Sequence, residues 1–218
     1  MTVTIDFYSD IVCPWCIIGM HRLDKVLAER FPTLAVDIRH HPVMLIADCP
    51  PEGLNSVDLL KSRHGITNPA KAWVRPHSEA RTSGLDLDLG RQPFGYPTLR
   101  AHTLIRLAAR RGAQHALARA IIFAYFQDSR NIADPDVLAD IASDHGFERG
   151  EAYLLALDPA EHIHTRQEAA ASSERGVTSV PHLVVGERLI LNGCRSEDEI
   201  ANAIQAAVSV RTGVLDAA

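Results

Sequence analysis

Near the N-terminus the hydrophobic positions follow two periods in turn. Val3, Ile5 and Phe7 alternate with Thr4, Asp6 and Tyr8. A period of two in β-branched and aromatic residues predicts a strand over Val3–Tyr8, followed by a loop at Ser9–Val12. Gly19, Met20, Leu23, Val26 and Leu27 then recur at helical spacing. Cys13 suits the N-cap and Pro14 the first helical position, where a missing N–H costs nothing. The helix should reach about Arg30 and stop at Phe31-Pro32. Leu34, Val36 and Ile38 alternate with Thr33, Asp37 and Arg39, which predicts a second strand over Leu34–His41. Strand, helix and strand in this order form a βαβ unit with parallel strands.

The pattern then changes. Val43–Pro51 reads as a loop. From Ser56 to about Ser173 almost nothing reads as a strand. Helical stretches are predicted at Ser56–His64, Lys71–Thr82, Pro97–Arg111, Gln114–Phe126, Asp134–His145, Arg149–Leu157 and Ala160–Arg175. Gly112, Gly146 and Gly176 stand where helices would stop. Asp134-Pro135-Asp136 combines a cap, a proline at N1 and an acid in the first turn. Period two returns at Leu183–Val185 and Arg188–Leu191, joined by Gly186-Glu187 as a two-residue turn. Ser196 with Glu199 forms a capping box before a last helix whose inner face is Ile200, Ile204 and Ala207. The tail after Thr212-Gly213 is expected to fray. The whole reads as an α/β chain, βαβ … ββα, with residues 1–44 and 174–218 forming one domain and residues 45–173 an all-helical insertion.

Composition narrows the function. The 218 residues are 46% hydrophobic and 22% charged, which suits a globular chain with a sizeable core. The net charge is −5, and Arg106, Arg110 and Arg111 read as a solvated helix face, so nucleic acid is not an expected partner. No run approaches the roughly 20 apolar residues of a membrane helix, so no membrane partner is expected. Met1-Thr2-Val3-Thr4-Ile5 enters a strand pattern at once and lacks signal-peptide features, which gives cytoplasmic as the expected location. Oligomeric state stays open between monomer and homodimer.

The candidate chemistry is concentrated in Cys13-Pro14-Trp15-Cys16. A Cys-x-x-Cys pair between a strand and a helix is the setting for thiol–disulfide exchange. A zinc site would need four ligands, and Cys49 and Cys194 stand alone, so no metal is expected. Unpaired N–H groups and the positive end of the helix dipole favour a thiolate at Cys13. Trp15 adds no positive charge between the cysteines, so the effect should be moderate. It does offer an aromatic surface for docking a peptide or glutathione. Cys16, one turn on and more buried, should resolve the mixed disulfide that Cys13 forms.

The element order and the segment Ser9–Cys16 resemble the DsbA family, specifically its FrnE-like branch. Gly176-Val177-Thr178-Ser179-Val180-Pro181 before a strand is similar to that family's cis-proline loop. Ala124-Tyr125-Phe126 and Asn131-Ile132-Ala133-Asp134 resemble the branch's helical insert. The resemblance implies a thioredoxin fold and thiol–disulfide oxidoreductase or isomerase activity. It implies a cis bond at Pro181, with Val180 and Pro181 presenting substrate backbone beside the cysteines. It further implies protein or small thiol and disulfide substrates, with glutathione a candidate co-substrate and no cofactor beyond the redox-active disulfide.

The superfamily also contains glutathione-dependent 2-hydroxychromene-2-carboxylate isomerases, which generally carry a hydroxyl nucleophile where Cys13 stands. A glutathione-dependent isomerase or transferase of a small aromatic or polyketide-like molecule, and a non-catalytic peptide-binding or chaperone-like module, are the competing functions. One departure stands out. Several thioredoxin-like proteins place a buried acid at the position that is Phe7 here, so proton handling at Cys16 is left to water or Asp10. His182 follows Pro181 and is a weaker substrate-binding candidate. His40-His41 reads as surface. Cys49 and Cys194 could pair or serve as secondary thiols.

Overall fold

The computed structural model describes residues 2–215. Strand β1 (Thr2–Ser9) leads through a short turn into helix α1 (Pro14–Arg30), and β2 (Ala35–Pro42) follows. β1 and β2 pair in parallel, with Ile5 opposite Ile38. The chain then leaves the sheet. α2 (Ser56–His64), α3 (Pro69–Thr82), α4 (Leu99–Ala108), α5 (Gln114–Phe126), α6 (Pro135–Ser143), α7 (Arg149–Leu157) and α8 (Pro159–Glu174) succeed one another. Two residues before α2, β3 (Leu54–Asn55), and two between α3 and α4, β4 (Phe94–Gly95), pair as a minimal antiparallel ladder. The chain returns through β5 (His182–Val185) and β6 (Leu189–Asn192) to α9 (Glu197–Leu215). The main sheet has the order β2-β1-β5-β6, with β5 antiparallel to both neighbours.

Local chemistry accounts for the boundaries. Cys13 caps α1 in an extended conformation with Pro14 at N1, and Phe31 closes the helix through its N–H to the Leu27 carbonyl. Asn55, Asp134, Glu148 and Asp158 each accept first-turn N–H bonds at the starts of α2, α6, α7 and α8. The Ser196–Glu199 box is formed in both directions: Ser196 N–H donates to Glu199 at 2.9 Å and Glu199 N–H to the Ser196 hydroxyl at 3.2 Å.

The ladder β3–β4 corrects the expectation of a strandless insert. Two-residue strands are too short to carry a period. The hairpin also differs. Gly186 and Glu187 both take positive φ, as a type I′ turn requires, but Val185 pairs with Leu189, so Arg188 is an extra residue in the turn and not in the strand. The predicted fraying falls on the chain end, of which residues 216–218 lie outside the described residues.

The insert does not stand apart from the sheet. α4, α5 and α8 pack on β2, while α9 covers β1, β5 and β6 and lies against α1. One continuous apolar cluster runs from Val3, Ile5 and Phe7 through Ile17, Met20 and Leu23 to Leu104, Leu117, Ile121 and Leu138. Arg22 of α1 crosses this boundary as a buried strut. Its guanidinium donates to Glu79 and Ser83 at the end of α3 and to the Arg195 carbonyl ahead of α9.

Candidate functional site

Cys13 and Cys16 occupy the first turn of α1. The Cys13 carbonyl accepts the N–H of Cys16 at 3.0 Å and of Ile17 at 3.4 Å, while the Cys13 N–H donates to the Asp10 carbonyl at 3.2 Å. No side chain caps the helix. Its first-turn N–H groups and the positive end of the helix dipole therefore remain to favour negative charge at this end. Cys13 retains 4% of its surface and Cys16 none. Burial pushes the Cys16 thiol well above the ordinary range, and hydrogen bonding and charge from Cys13 add to this, while the Asp10 backbone N–H opposes it. The pair is thus asymmetric, with one reachable sulfur and one kept protonated behind it.

The distant loop meets this turn. Cys13 Sγ lies 4.0 Å from the Val180 carbonyl oxygen, and the Val180–Pro181 peptide bond is cis. Gly19 lets the loop approach: a Cβ at this position would stand 2.9 Å from Pro181 Cγ. Phe7 is fully buried beneath the same contact.

A cavity of about 470 Å³ opens beside Cys13. Val12, Pro14 and Trp15 form one wall. Leu59, Leu60 and Arg63 of α2, Ala72, Trp73 and Pro76 of α3, and Tyr125 and Phe126 of α5 line much of the rest. The lining polar groups are already engaged. The Gln92 amide donates to the Tyr125 carbonyl at 3.0 Å, and the Tyr125 hydroxyl to the Phe94 carbonyl at 2.9 Å. Burial pushes the Tyr125 phenol upward, so it stays neutral. The Arg75 guanidinium lies 5.2 Å from the centre of the Trp15 ring, a cation–π contact at the site's edge. Among the described residues no group of three or more His, Cys, Asp or Glu side chains could hold a metal ion.

The structure brings Cys13, Pro14, Trp15, Cys16, Val180 and Pro181 together. His182 is placed differently. Its Nδ1 lies 2.5 Å from Asn192 Oδ1, its ring meets Tyr8 edge-on, and it does not line the cavity. The surface reading of His40 is corrected. Its side chain is buried, Nε2 lies 2.9 Å from His115 Nδ1, and burial and the neighbouring histidines push its pKa well below the usual value. His41 pairs with Asp6 at 2.7 Å. Both cysteines outside the motif are free. Cys49 donates to the Gly95 carbonyl at 3.4 Å, whereas Cys194 accepts from Arg22 at 3.4 Å and is pushed up to about 11, chiefly by burial. They do not pair. Trp73, Arg75 and Leu60 reach the site from far along the chain, and no local signal in the sequence marks them. His102, buried against Asp10, was equally invisible there, because it falls inside an ordinary helical period.

Comparison with known proteins agrees with this geometry. The family profile of the DSBA-like thioredoxin domain matches residues 4–205. The Bacillus subtilis (strain 168) protein YwbO is 26% identical over 210 residues, covering 94% of this chain and 96% of its own. The structure of the probable DsbA oxidoreductase SCO1869 from Streptomyces coelicolor superposes with a TM-score of 0.83 at 24% identity, covering 95% of this chain and 90% of that one. The cytosolic disulfide reductase DsbM from Pseudomonas aeruginosa, solved with GSH, superposes with a TM-score of 0.63 at 16% identity, covering 97% and 98%. The fold, the paired cysteines at the start of α1 and a profile match across nearly the full length lead to one conclusion: the chain belongs to the DSBA-like thioredoxin domain family.

Proposed function

We propose that this protein is a thiol–disulfide oxidoreductase whose working centre is the Cys13–Cys16 dithiol. The observation that carries the reading is the asymmetry of the pair: Cys13 reachable at the helix N-terminus, 4.0 Å from the Val180 carbonyl, with Cys16 fully buried behind it. In the reducing direction the Cys13 thiolate attacks a substrate disulfide, forms a mixed disulfide and releases one substrate thiolate. Cys16 then attacks Cys13, forms the internal disulfide and releases the second. The substrate strand pairs with the backbone at Val180, where Pro181 offers no N–H of its own. Glutathione is the co-substrate this reading favours, supported by the fold shared with a disulfide reductase solved with GSH. A cytoplasmic setting is supported by the same likeness, that reductase being described as cytosolic.

One observation favours a second reading. The cavity beside Cys13 has the volume and apolar lining of a small-molecule site, which suits a glutathione-dependent isomerase. A single experiment separates the two. Cys16→Ser should accumulate mixed disulfides on Cys13 that mass spectrometry identifies as protein-linked, and Cys13→Ser should accumulate none. Capture of glutathione alone would favour the isomerase, and full disulfide reductase activity in Cys13→Ser would end the oxidoreductase reading.

A further inference from the structure

The chain as a whole is acidic, with 27 Asp and Glu residues against 22 Lys and Arg. The cavity beside Cys13 has the opposite balance. Among the described residues, its lining includes the guanidinium of Arg63 and no carboxylate. A second guanidinium, that of Arg75 on α3, stands at its edge, 5.2 Å from the centre of the Trp15 ring. Asp10, the acid closest to Cys13 in sequence, is fully buried, accepts the Ile11 and Leu45 N–H groups and does not line the cavity. The uncapped start of α1 adds positive potential from a third direction.

The two cations differ in what they have left to offer. Arg63 donates to the Leu45 carbonyl and pairs with Asp48 at 3.2 Å, so part of its charge is already answered. Arg75 is exposed and makes no ion pair among the described residues. The acid one turn further along α3, Glu79, is taken by Arg22 at 2.6 Å. An indole face attracts a cation through its ring and leaves the guanidinium N–H donors unused. Trp15 thus holds a guanidinium over the rim of the cavity with its donors available. Behind that rim the walls are largely apolar, with Leu59, Leu60, Trp73 and Phe126 among them.

We propose that this cavity selects small disulfides that carry a carboxylate on an apolar body, and that Arg75 is the residue that reads the charge. The inference rests on the oxidoreductase reading above and names its substrate class. The apolar walls take the body, and the carboxylate meets Arg75 at the rim. The Cys13 thiolate attacks the nearer substrate sulfur. A bond from Cys13 to that sulfur forms as the sulfur–sulfur bond of the substrate breaks, and the electron pair leaves on the departing thiolate. Cys13 is oxidised to the mixed disulfide, and the departing sulfur is reduced. The carboxylate that arrives and the thiolate that leaves are both negative, so a guanidinium at the rim favours each and a carboxylate there would oppose each. Arg75 takes no part in the bond exchange. It is a specificity residue, acting on which disulfides reach Cys13.

Two aromatic disulfides of similar size separate charge from fit: 5,5′-dithiobis(2-nitrobenzoate), a dianion, and 4,4′-dithiodipyridine, neutral near neutral pH. Each releases a coloured product that stopped flow follows. The parent protein is full-length Cys16→Ser, so that Cys13 reacts once, and adding Cys13→Ser gives the background from Cys49 and Cys194. Arg75→Gln should slow the dianion by about three- to tenfold and leave the neutral disulfide within about twofold. Arg75→Lys, which keeps the charge, should restore the dianion to within about twofold of the parent. Added salt should slow the dianion more in the parent than in Arg75→Gln. Trp73→Ala, which opens the wall without changing charge, should slow both probes by about threefold or more. Equal slowing of both probes in Arg75→Gln would make Arg75 a packing group on Trp15 and overturn the inference. No change with either probe in Arg75→Gln, or parent rates in Trp73→Ala, would overturn it too. In each of these cases Cys13 still reacts, and the oxidoreductase reading stands. Release no faster with Cys13 than without it would instead overturn that reading.

Discussion

At the scale of single residues, Gly19 is the glycine whose missing side chain bears directly on the cysteines. It lies on α1 directly under Pro181, and a methyl group there would meet the proline ring at 2.9 Å. A ring cannot swing aside as a long side chain can, so either the helix or the loop must move. Gly19→Ala should cost about 1–3 kcal/mol, the usual range for overpacking. Urea denaturation measures it, and reaction of Cys13 with a disulfide should slow in parallel as Val180 is displaced. A variant of unchanged stability and reactivity would mean the contact is softer than its geometry. Residues of this kind divide by how they can be read. Cys13 and Pro14 announce themselves, because a cap and an N1 proline are local chemistry. Asp10 was legible only as an acid near the site, and its burial is set by Leu45 and His102 arriving from elsewhere.

Side-chain caps made the starts of α2, α6 and α7 legible, whereas α5 was read from its hydrophobic period alone. α2, α5 and α7 match their expected bounds, and α6 begins at the Asp134-Pro135 signal. In contrast, β3 and β4 could not be seen, since two residues display no period and pair only because the insert folds back. The start of α9 offers a clean check. Ser196→Ala removes the hydroxyl that accepts the Glu199 N–H and one donor to the Glu199 carboxylate. The expected cost is about 1 kcal/mol, read as a lowered Tm, because cap replacements fall near that value. Since α9 covers three strands away from the cysteines, the rate at which Cys13 reacts should not change. A parallel loss of reactivity would show that α9 reaches the site.

For the whole molecule, the sequence suggested two domains and the structure has one continuous core, with His40 on the seam between β2 and the insert. That burial links folding to pH. In the unfolded chain His40 titrates near about 6.5, and in the fold it titrates well below this value. Between the two values the unfolded state holds the extra proton. Stability contributed by a neutral His40 is therefore complete above about pH 6.5 and declines as pH falls below it, until the folded histidine protonates. Denaturation curves of the wild type should weaken from pH 7.5 to 5.5 by more than those of His40→Gln, with pH values chosen to bracket about 6.5. Parallel loss in the two proteins would assign the acid sensitivity elsewhere. The shared core was not visible in the sequence, where a change of period reads as a domain boundary. The shared core forms from contacts such as Gln114 with the His40 backbone, whose partners lie far apart along the chain.

Helix α4, which brings His102 to Asp10, gives the insert a second kind of inheritance. Residues 45–173 supply most of the cavity walls, so exchanging them with those of a relative would change which molecules enter. The same exchange would replace the imidazole that lies 3.2 Å from Asp10 Oδ1. A chimera therefore keeps this buried contact only when the donor segment brings a polar partner to the same spot. Without one, the fully buried Asp10 carboxylate, three residues before Cys13, is left with its two backbone N–H partners.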